Sequence, residues 1–516
     1  MQAGLTDHPV DSPLRLRHHL CISEVELSEF PRLRIHAARL EARGSFAEAQ
    51  ATFLQPDLES VSQLDALLMR ANAGIVAHFY MDPELQGVLS ACTWPHIHVS
   101  DSLVMADRAV QMASAGVSAI LVAGVDFMSE NVRAVLDAAG FSAVPVYRLA
   151  KAAIGCSLAE AAQTDAYLAF LRKAAQTPRS LHVVYINTSL RTKAVAQQIV
   201  PTITCTSSNV VQTILQAAAQ VDDLHVWYGP DTYMGHNLQT LLSAYAQLSV
   251  GEVQAIHPQH TPESIARLLE RFHPFEQGHC IVHHLFGAQV VAQVRRDHAS
   301  AFVTAHLEVP GEMFALATEY QQLGRGAVGS TSNLLDFIQA QVARLPGAPV
   351  GQPPAVAEFV LGTEAGMVTS IVRSVQHQLA VSAKNIAVDI LFPVAADSLT
   401  QTGEAGLPVV PGPAAGEGCS MAGGCATCPY MKMNHLDGLQ EVLRSIAAGL
   451  QGSDSERAAG RSRNSQDLLD LQPRMDKSPV GGQDAVQLGS IPILQMREFQ
   501  RSGRIGAALV EAVCAT

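Results

Sequence analysis

Three landmarks recur in the same order along this 516-residue chain, and that internal repeat limits its fold more than any single motif does. The first is a strand-like run carrying polar groups: AHFY at Ala77–Tyr80, YINT at Tyr185–Thr188 and AHLE at Ala305–Glu308. The second is a Ser-rich strand-to-helix junction: SDSL at Ser100–Leu103, TSSN at Thr206–Asn209 and GSTSN at Gly329–Asn333. The third is Gly-x-acid followed by Met: GVDFM at Gly124–Met128, GPDTYM at Gly229–Met234 and GTEAGM at Gly362–Met367. His78 to Ser102, Tyr185 to Ser207 and His306 to Ser330 span 24, 22 and 24 residues. From those serines to Gly124, Gly229 and Gly362 the intervals are 22, 22 and 32. Each unit is then followed by a cysteine in a Gly-containing context: Cys156, Cys280 and Cys428.

Between about Ala71 and Val372, short β-branched runs such as Gly74–His78, His182–Ile186 and Phe302–His306 alternate with amphipathic stretches such as Ser129–Ala139, Ser208–Gln220 and Glu312–Leu323. That alternation predicts parallel α/β layers. The expected fold is α/β, with three pseudo-threefold-related, three-layer αβα domains around a central site. The expected boundaries are a helical N-terminal extension at 1–65, domain 1 at 66–165 and domain 2 at 166–290, with a helix-rich surface insertion at about 236–276. Domain 3 then spans 291–440, with a long Gly/Pro/Ala-rich loop at about 395–424. A C-terminal tail at 441–516 is partly linker-like, its polar stretch running from 452 to 485.

Hydrophobic residues make up 48% of the chain and charged residues 16%, which fits a well-buried globular protein. The net charge of −13 argues against a nucleic-acid partner. The longest apolar runs are strand-sized, short of the roughly 20 residues a membrane span needs. The N-terminus lacks the apolar core of a secretory signal, so the expected location is cytoplasmic. Nine cysteines are too few and too scattered for a disulfide framework.

Three readings of these cysteines are open from the residues alone. Three convergent thiolates could hold three irons of a cubane and leave the fourth iron open. Alternatively, Cys425-x-x-Cys428, with Cys419 and His435 nearby, could bind a structural zinc. The same CxxC could be a redox pair.

The stretches AHFYMDPELQ, VSDSLVMADRA, LVAGVDFMSENVRAVL, VVYINTSLRTKA, GPDTYMGHNLQ, GHCIVHHLF, VGSTSNLLDFI, LGTEAGMV and CATCPYMKMNHLDGL resemble quinolinate synthases in order and character. The resemblance runs from about Gly74 to Leu439. It implies three α/β domains about a pseudo-threefold axis, and a 4Fe–4S cluster on Cys156, Cys280 and Cys428 with one open iron. It also implies condensation of iminoaspartate with dihydroxyacetone phosphate to quinolinate in NAD biosynthesis. The enzyme that supplies iminoaspartate is then a candidate partner. Cys205 does not match a ligand position, and Cys425 is read as an incidental thiol.

The reaction handles carboxylates and a phosphate. Helix N-termini bind such anions through unpaired backbone N–H groups. The resemblance therefore assigns anion binding to Ser102, Ser207, Ser330 and Thr331. It assigns proton transfer or substrate contact to His78, Tyr80, His283, His306 and Glu308, and hydrogen bonding of a carboxylate or amine to Tyr185 and Asn187. The His-Pro pair at His257 invites confusion with a family segment, but its place before Cys280 excludes it, and AHLE takes that role.

Overall fold

The computed structural model describes residues 29–349, 351–382, 384–393, 427–451 and 464–516. The expected long loop at 395–424, together with Cys419 and Cys425, lies outside the described residues.

Fourteen strands are found among the described residues. They are β1 Arg32–Ile35, β2 Leu40–Arg43, β3 Ala73–His78, β4 Ile97–Ser100, β5 Ala119–Ala123, β6 Val146–Arg148 and β7 Ser180–Tyr185, followed by β8 Thr202–Cys205, β9 His225–Gly229, β10 Phe272–Pro274, β11 Phe302–His306, β12 Gly326–Gly329, β13 Ala355–Gly362 and β14 Ile386–Leu391. They form three sheets, ordered β4-β3-β5-β6, β10-β9-β7-β8 and β12-β11-β13-β14-β1-β2. Within each unit the first strand pairs with the second and third, the fourth lies beyond the third, and all four are parallel. The repeat seen in the sequence is thus one α/β unit built three times.

Burial explains why these strands read as continuous apolar runs. Every residue of β3, β7 and β14 is buried, because helices cover both faces of a parallel sheet. The first strands β3, β7 and β11 end at His78, Tyr185 and His306. This is the carboxyl end of each sheet, where open α/β folds build their sites.

Several expectations need correction. The N-terminal extension is not wholly helical: β1 and β2 add two antiparallel strands to the third sheet. Leu33 and Ile35 enter the core, while Arg34 reaches Asp389 at 2.7 and 2.8 Å and Arg32 lies 3.4 Å from it. Four residues alternating basic and apolar were too short a pattern to separate from an amphipathic helix. The surface insertion at 236–276 includes the fourth strand of the second sheet, β10, so most of it is the helical crossover leading there.

The tail is also more ordered than its composition suggests. The buried guanidinium of Arg148 donates to the Asp470 and Gln472 carbonyls, and Arg148 N–H donates to Leu471 O at 2.7 Å. Polar residues there hide a backbone that is held by its carbonyls. Farther on, the helix Ala485–Ser502 lies against the helix Leu190–Ile199. A Cβ at Gly489 would sit 2.2 Å from Leu190 O, so only glycine permits this approach. No helix among the described residues is long and apolar enough to cross a membrane.

Candidate active site

β3, β7 and β11 each end on one polar residue, and the turn or bend that follows carries a second two positions on, so each unit offers a pair to the space between the units: His78 with Tyr80, Tyr185 with Asn187, and His306 with Glu308. All six line one cavity of about 80 Å³, together with His283, Ser102, Ser207, Thr331, Cys156, Cys280 and Cys428. Residues from all three units thus meet there.

His78 and His306 occupy equivalent positions and are held alike. His78 Nδ1 accepts Tyr80 N–H at 3.2 Å, and His306 Nδ1 accepts Glu308 N–H at 3.3 Å. A ring nitrogen that accepts carries no proton, so each neutral ring keeps its proton on Nε2. Burial pushes the His78 imidazolium pKa down to about 4 and that of His306 to about 3, which agrees with neutral rings at pH 7.

A hydrogen-bonded chain crosses the cavity wall. Tyr80 OH lies 3.0 Å from Thr331 Oγ1 and 3.1 Å from Thr363 Oγ1. Thr363 Oγ1 is 3.3 Å from His283 Nε2. His283 Nδ1 is 3.0 Å from Glu308 Oε2 and 3.3 Å from Cys280 Sγ. Tyr185 OH donates to Glu308 Oε1. Burial alone would raise the Glu308 carboxyl, but His283 and the Tyr185 hydroxyl hold it well below the usual carboxylate range. Burial pushes the Tyr80 and Tyr185 phenols up, so both remain protonated.

The three cysteines are set up the same way. Each precedes a short helical turn: Ser157–Ala161, His283–Leu285 or Met431–Met433. N–H groups of that turn face the sulfur: Leu158 and Ala159 for Cys156, His283 for Cys280, and Tyr430 and Met431 for Cys428. Burial nevertheless pushes all three thiols up, Cys156 to about 12, and charge repulsion adds to it, from Cys428 and Cys156 on Cys280 and from Cys156 on Cys428. Three soft donors around one cavity, each with N–H support for a thiolate, suit a cationic centre placed among them. Cys280, His283 and Glu308 also offer ligand atoms within 4.8 Å of one another. Their mutual hydrogen bonds make His283 and Glu308 a support for Cys280, in the manner of outer-shell partners.

The Ser-rich junctions converge, with one shift from expectation. Ser330 is a helix cap that exchanges hydrogen bonds with Asn333, and it is absent from the cavity lining. Its neighbour Thr331 lines the cavity instead. At the first junction the cap is Asp101, which accepts Leu103 and Val104 N–H groups. Asp101 Oδ2 also accepts Ser208 Oγ at 3.2 Å and Ser332 Oγ at 3.4 Å, joining all three junctions.

Sequence reasoning missed Asp101, Thr363 and Glu364. Glu364 lines the cavity and accepts Cys428 N–H at 2.7 Å. The third landmark pointed to its position, but the equivalent acids do other work. Asp126 pairs with Arg148 at 3.0 Å, and Asp231 caps its helix at Met234 N–H. Gly366, in the same landmark, packs where a Cβ would meet Phe79 O at 2.5 Å, so the third unit abuts the first.

A family model described as "Quinolinate synthetase A protein" matches residues 62–462. The chain belongs to the quinolinate synthase family. It is 51% identical to the quinolinate synthase, chloroplastic, of Arabidopsis thaliana over 497 residues, which cover 94% of this chain and 67% of that protein. Against the quinolinate synthase, chloroplastic, of Oryza sativa subsp. japonica the identity is 48%, over 94% of this chain and 69% of that protein. A quinolinate synthase of Prochlorococcus marinus (strain MIT 9313) is 26% identical over 75% of this chain and 83% of its own. The chain spans about two thirds of the length of the plant relatives. The expected cytoplasmic location is overturned, because four plant relatives at 48–51% identity are named as chloroplastic. A leader segment has no fixed motif, so the N-terminal residues could not speak to this.

Proposed function

We propose that this chain is a transferase that condenses iminoaspartate with dihydroxyacetone phosphate to quinolinate, for NAD biosynthesis. Phosphate and two waters leave, and the atoms balance without an external oxidant. One observation carries the reading: a cysteine from each of three repeated units faces the cavity that holds the paired residues of β3, β7 and β11. Cys156, Cys280 and Cys428 would hold a 4Fe–4S cluster. With three protein ligands, such a cluster supplies an open iron that acts as a Lewis acid toward substrate oxygen.

The chain's own residues do the rest. His78 and His306 present neutral Nε2–H donors suited to carboxylate or carbonyl oxygens. Ser102, Ser207 and Thr331 add hydroxyls at helix N-termini, where anions are favoured. Asn187 orients an amine or carboxylate beside Tyr185. Tyr80, protonated and linked through Thr363 to His283, can give a proton to a leaving oxygen and recover one along the chain. Glu308, held ionised, can accept a proton from substrate during enolisation and return it to a leaving hydroxyl during dehydration.

The test is anaerobic turnover of both substrates, with iminoaspartate generated in the assay, beside metal analysis. Quinolinate formation with about four irons per chain is expected. Full activity in iron-free protein, or one zinc per chain in its place, would overturn the reading.

A further inference from the structure

We infer that Gln86, Lys193 and Asn237 are equivalent positioning residues, each fixing the backbone that aims one cavity-facing side chain. None of the three lines the cavity. All are buried, at 1%, 0% and 1% exposure.

Their targets coincide in the repeat. The cavity-facing residues Tyr80, Asn187 and Glu308 follow Phe79, Ile186 and Leu307. Gln86 Nε2 donates to Phe79 O at 3.1 Å. Lys193 Nζ donates to Ile186 O at 3.2 Å and also to Thr188 O. Asn237 Nδ2 donates to Leu307 O at 2.9 Å and Val309 O at 2.8 Å. In the second and third units the held carbonyls therefore lie on both sides of Asn187 and Glu308. Clamping the two peptides that flank a residue limits the φ and ψ that direct its side chain.

The donors come from different places, which argues for the job over the ancestry. Gln86 and Lys193 lie seven residues after Phe79 and Ile186, on the helices Pro83–Ala91 and Leu190–Ile199 of their own units. Seven residues after Leu307 stands Phe314, a buried apolar side chain that cannot donate. Asn237 replaces it from the second unit, on the helix Thr232–Tyr245. The third unit is thus aimed by the second across their boundary. A buried lysine whose hydrogen-bond acceptors are two backbone carbonyls is costly to keep for packing alone, since an apolar side chain would fill the volume without desolvating a charge.

The kinetic arm of the test rests on the proposed reaction, and the exchange arm does not. Gln86→Met, Lys193→Met and Asn237→Leu remove the donors while keeping most of the volume. In the holoenzyme, amide hydrogen exchange should rise locally at residues 79–81, 186–188 and 307–309, each in its matching variant. kcat/KM should fall by about tenfold or more, from misalignment in place of lost chemistry. Double-mutant cycles should couple each pair: Gln86→Met should cost little further in Tyr80→Phe, Lys193→Met little in Asn187→Ala, and Asn237→Leu little in Glu308→Gln. Unchanged exchange at those residues would overturn the inference, and so would losses that add in full across each pair. Wild-type protein that forms no quinolinate would instead overturn the proposed reaction, with the exchange result still deciding the positioning role.

Discussion

Glu308 at the centre of the molecule and Glu130 at the seam between the first two units are both nearly fully buried, at 4% and 5% exposure. Their carboxyls are driven in opposite directions. Burial alone would raise both. Around Glu308, His283 and Tyr185 OH reverse the effect and keep it ionised. Glu130 receives one backbone donor, Leu190 N–H at 2.7 Å, and the charge of Lys193, and burial wins, lifting it to about 7. Donor count, not depth, separates a carboxylate poised to accept protons from one that caps a helix across a domain boundary. Both donors, Tyr185 and His283, belong to the second unit while Glu308 follows the first strand of the third, so the acid is held ionised only once those two units have met.

The two acids should differ most at the thiol beside Glu308. Cys280→Ser should lose most of the iron and all measurable turnover, read by metal analysis and anaerobic assay, while Glu130→Gln should keep both. Next in size is Glu308→Gln. With iron content unchanged, kcat should fall by about 10²–10⁴, the range for a general acid or base; near-normal turnover would remove its assigned role. Arg34→Leu strips a partner from Asp389, which is fully buried. It should lower folding stability by about 2 kcal/mol, less than the roughly 3–5 for a wholly buried pair because Arg34 is partly exposed, with kcat unchanged.

The smallest effect is at Glu130 itself. In the folded chain this carboxyl keeps its proton to about pH 7, against an ordinary value of 4.5. The folded state then binds more protons than the unfolded state between those values. Its contribution is present below about pH 4.5 and is lost as pH rises through about 7. Glu130→Gln should flatten that part of the urea-midpoint profile, and below about pH 4.5, where the carboxyl is protonated in both states, it should change stability by only about 1 kcal/mol or less. An unchanged slope would mean that Glu130 is ionised in the folded protein.

Much of the fold was legible because parallel sheets leave strong marks. Doubly covered strands such as β3 and β7 must be apolar throughout, and their crossovers must be amphipathic. A threefold repeat of those marks could be counted directly. The residues of the site were legible through the resemblance and the repeat, which mark His78 with Tyr80 and His306 with Glu308 at equivalent strand ends. Local pattern failed where position depended on a distant partner. Arg32–Ile35 reads as a strand only when β14 is beside it. The segment around Leu471 is held by Arg148 and by Leu471 itself, buried against the first unit. Asp101 earns notice only when Ser208 and Ser332 arrive from the other units.

The sequence by itself determined that three like units exist, that each carries a cysteine and a pair of polar residues at a strand end, and that the chain resembles one family. Only the tertiary structure decided which hydroxyl of each junction faces inward, placing Thr331 on the cavity and leaving Ser330 to cap its helix. It also decided that the Glu308 carboxyl is held low and the Glu130 carboxyl raised, and that Asn237 of one unit donates to the backbone of the next. The physical reason is the same in each case. Periodicity is a property of neighbours along the chain, whereas hydrogen-bond satisfaction and charge state depend on groups hundreds of residues away that folding brings within about 3 Å.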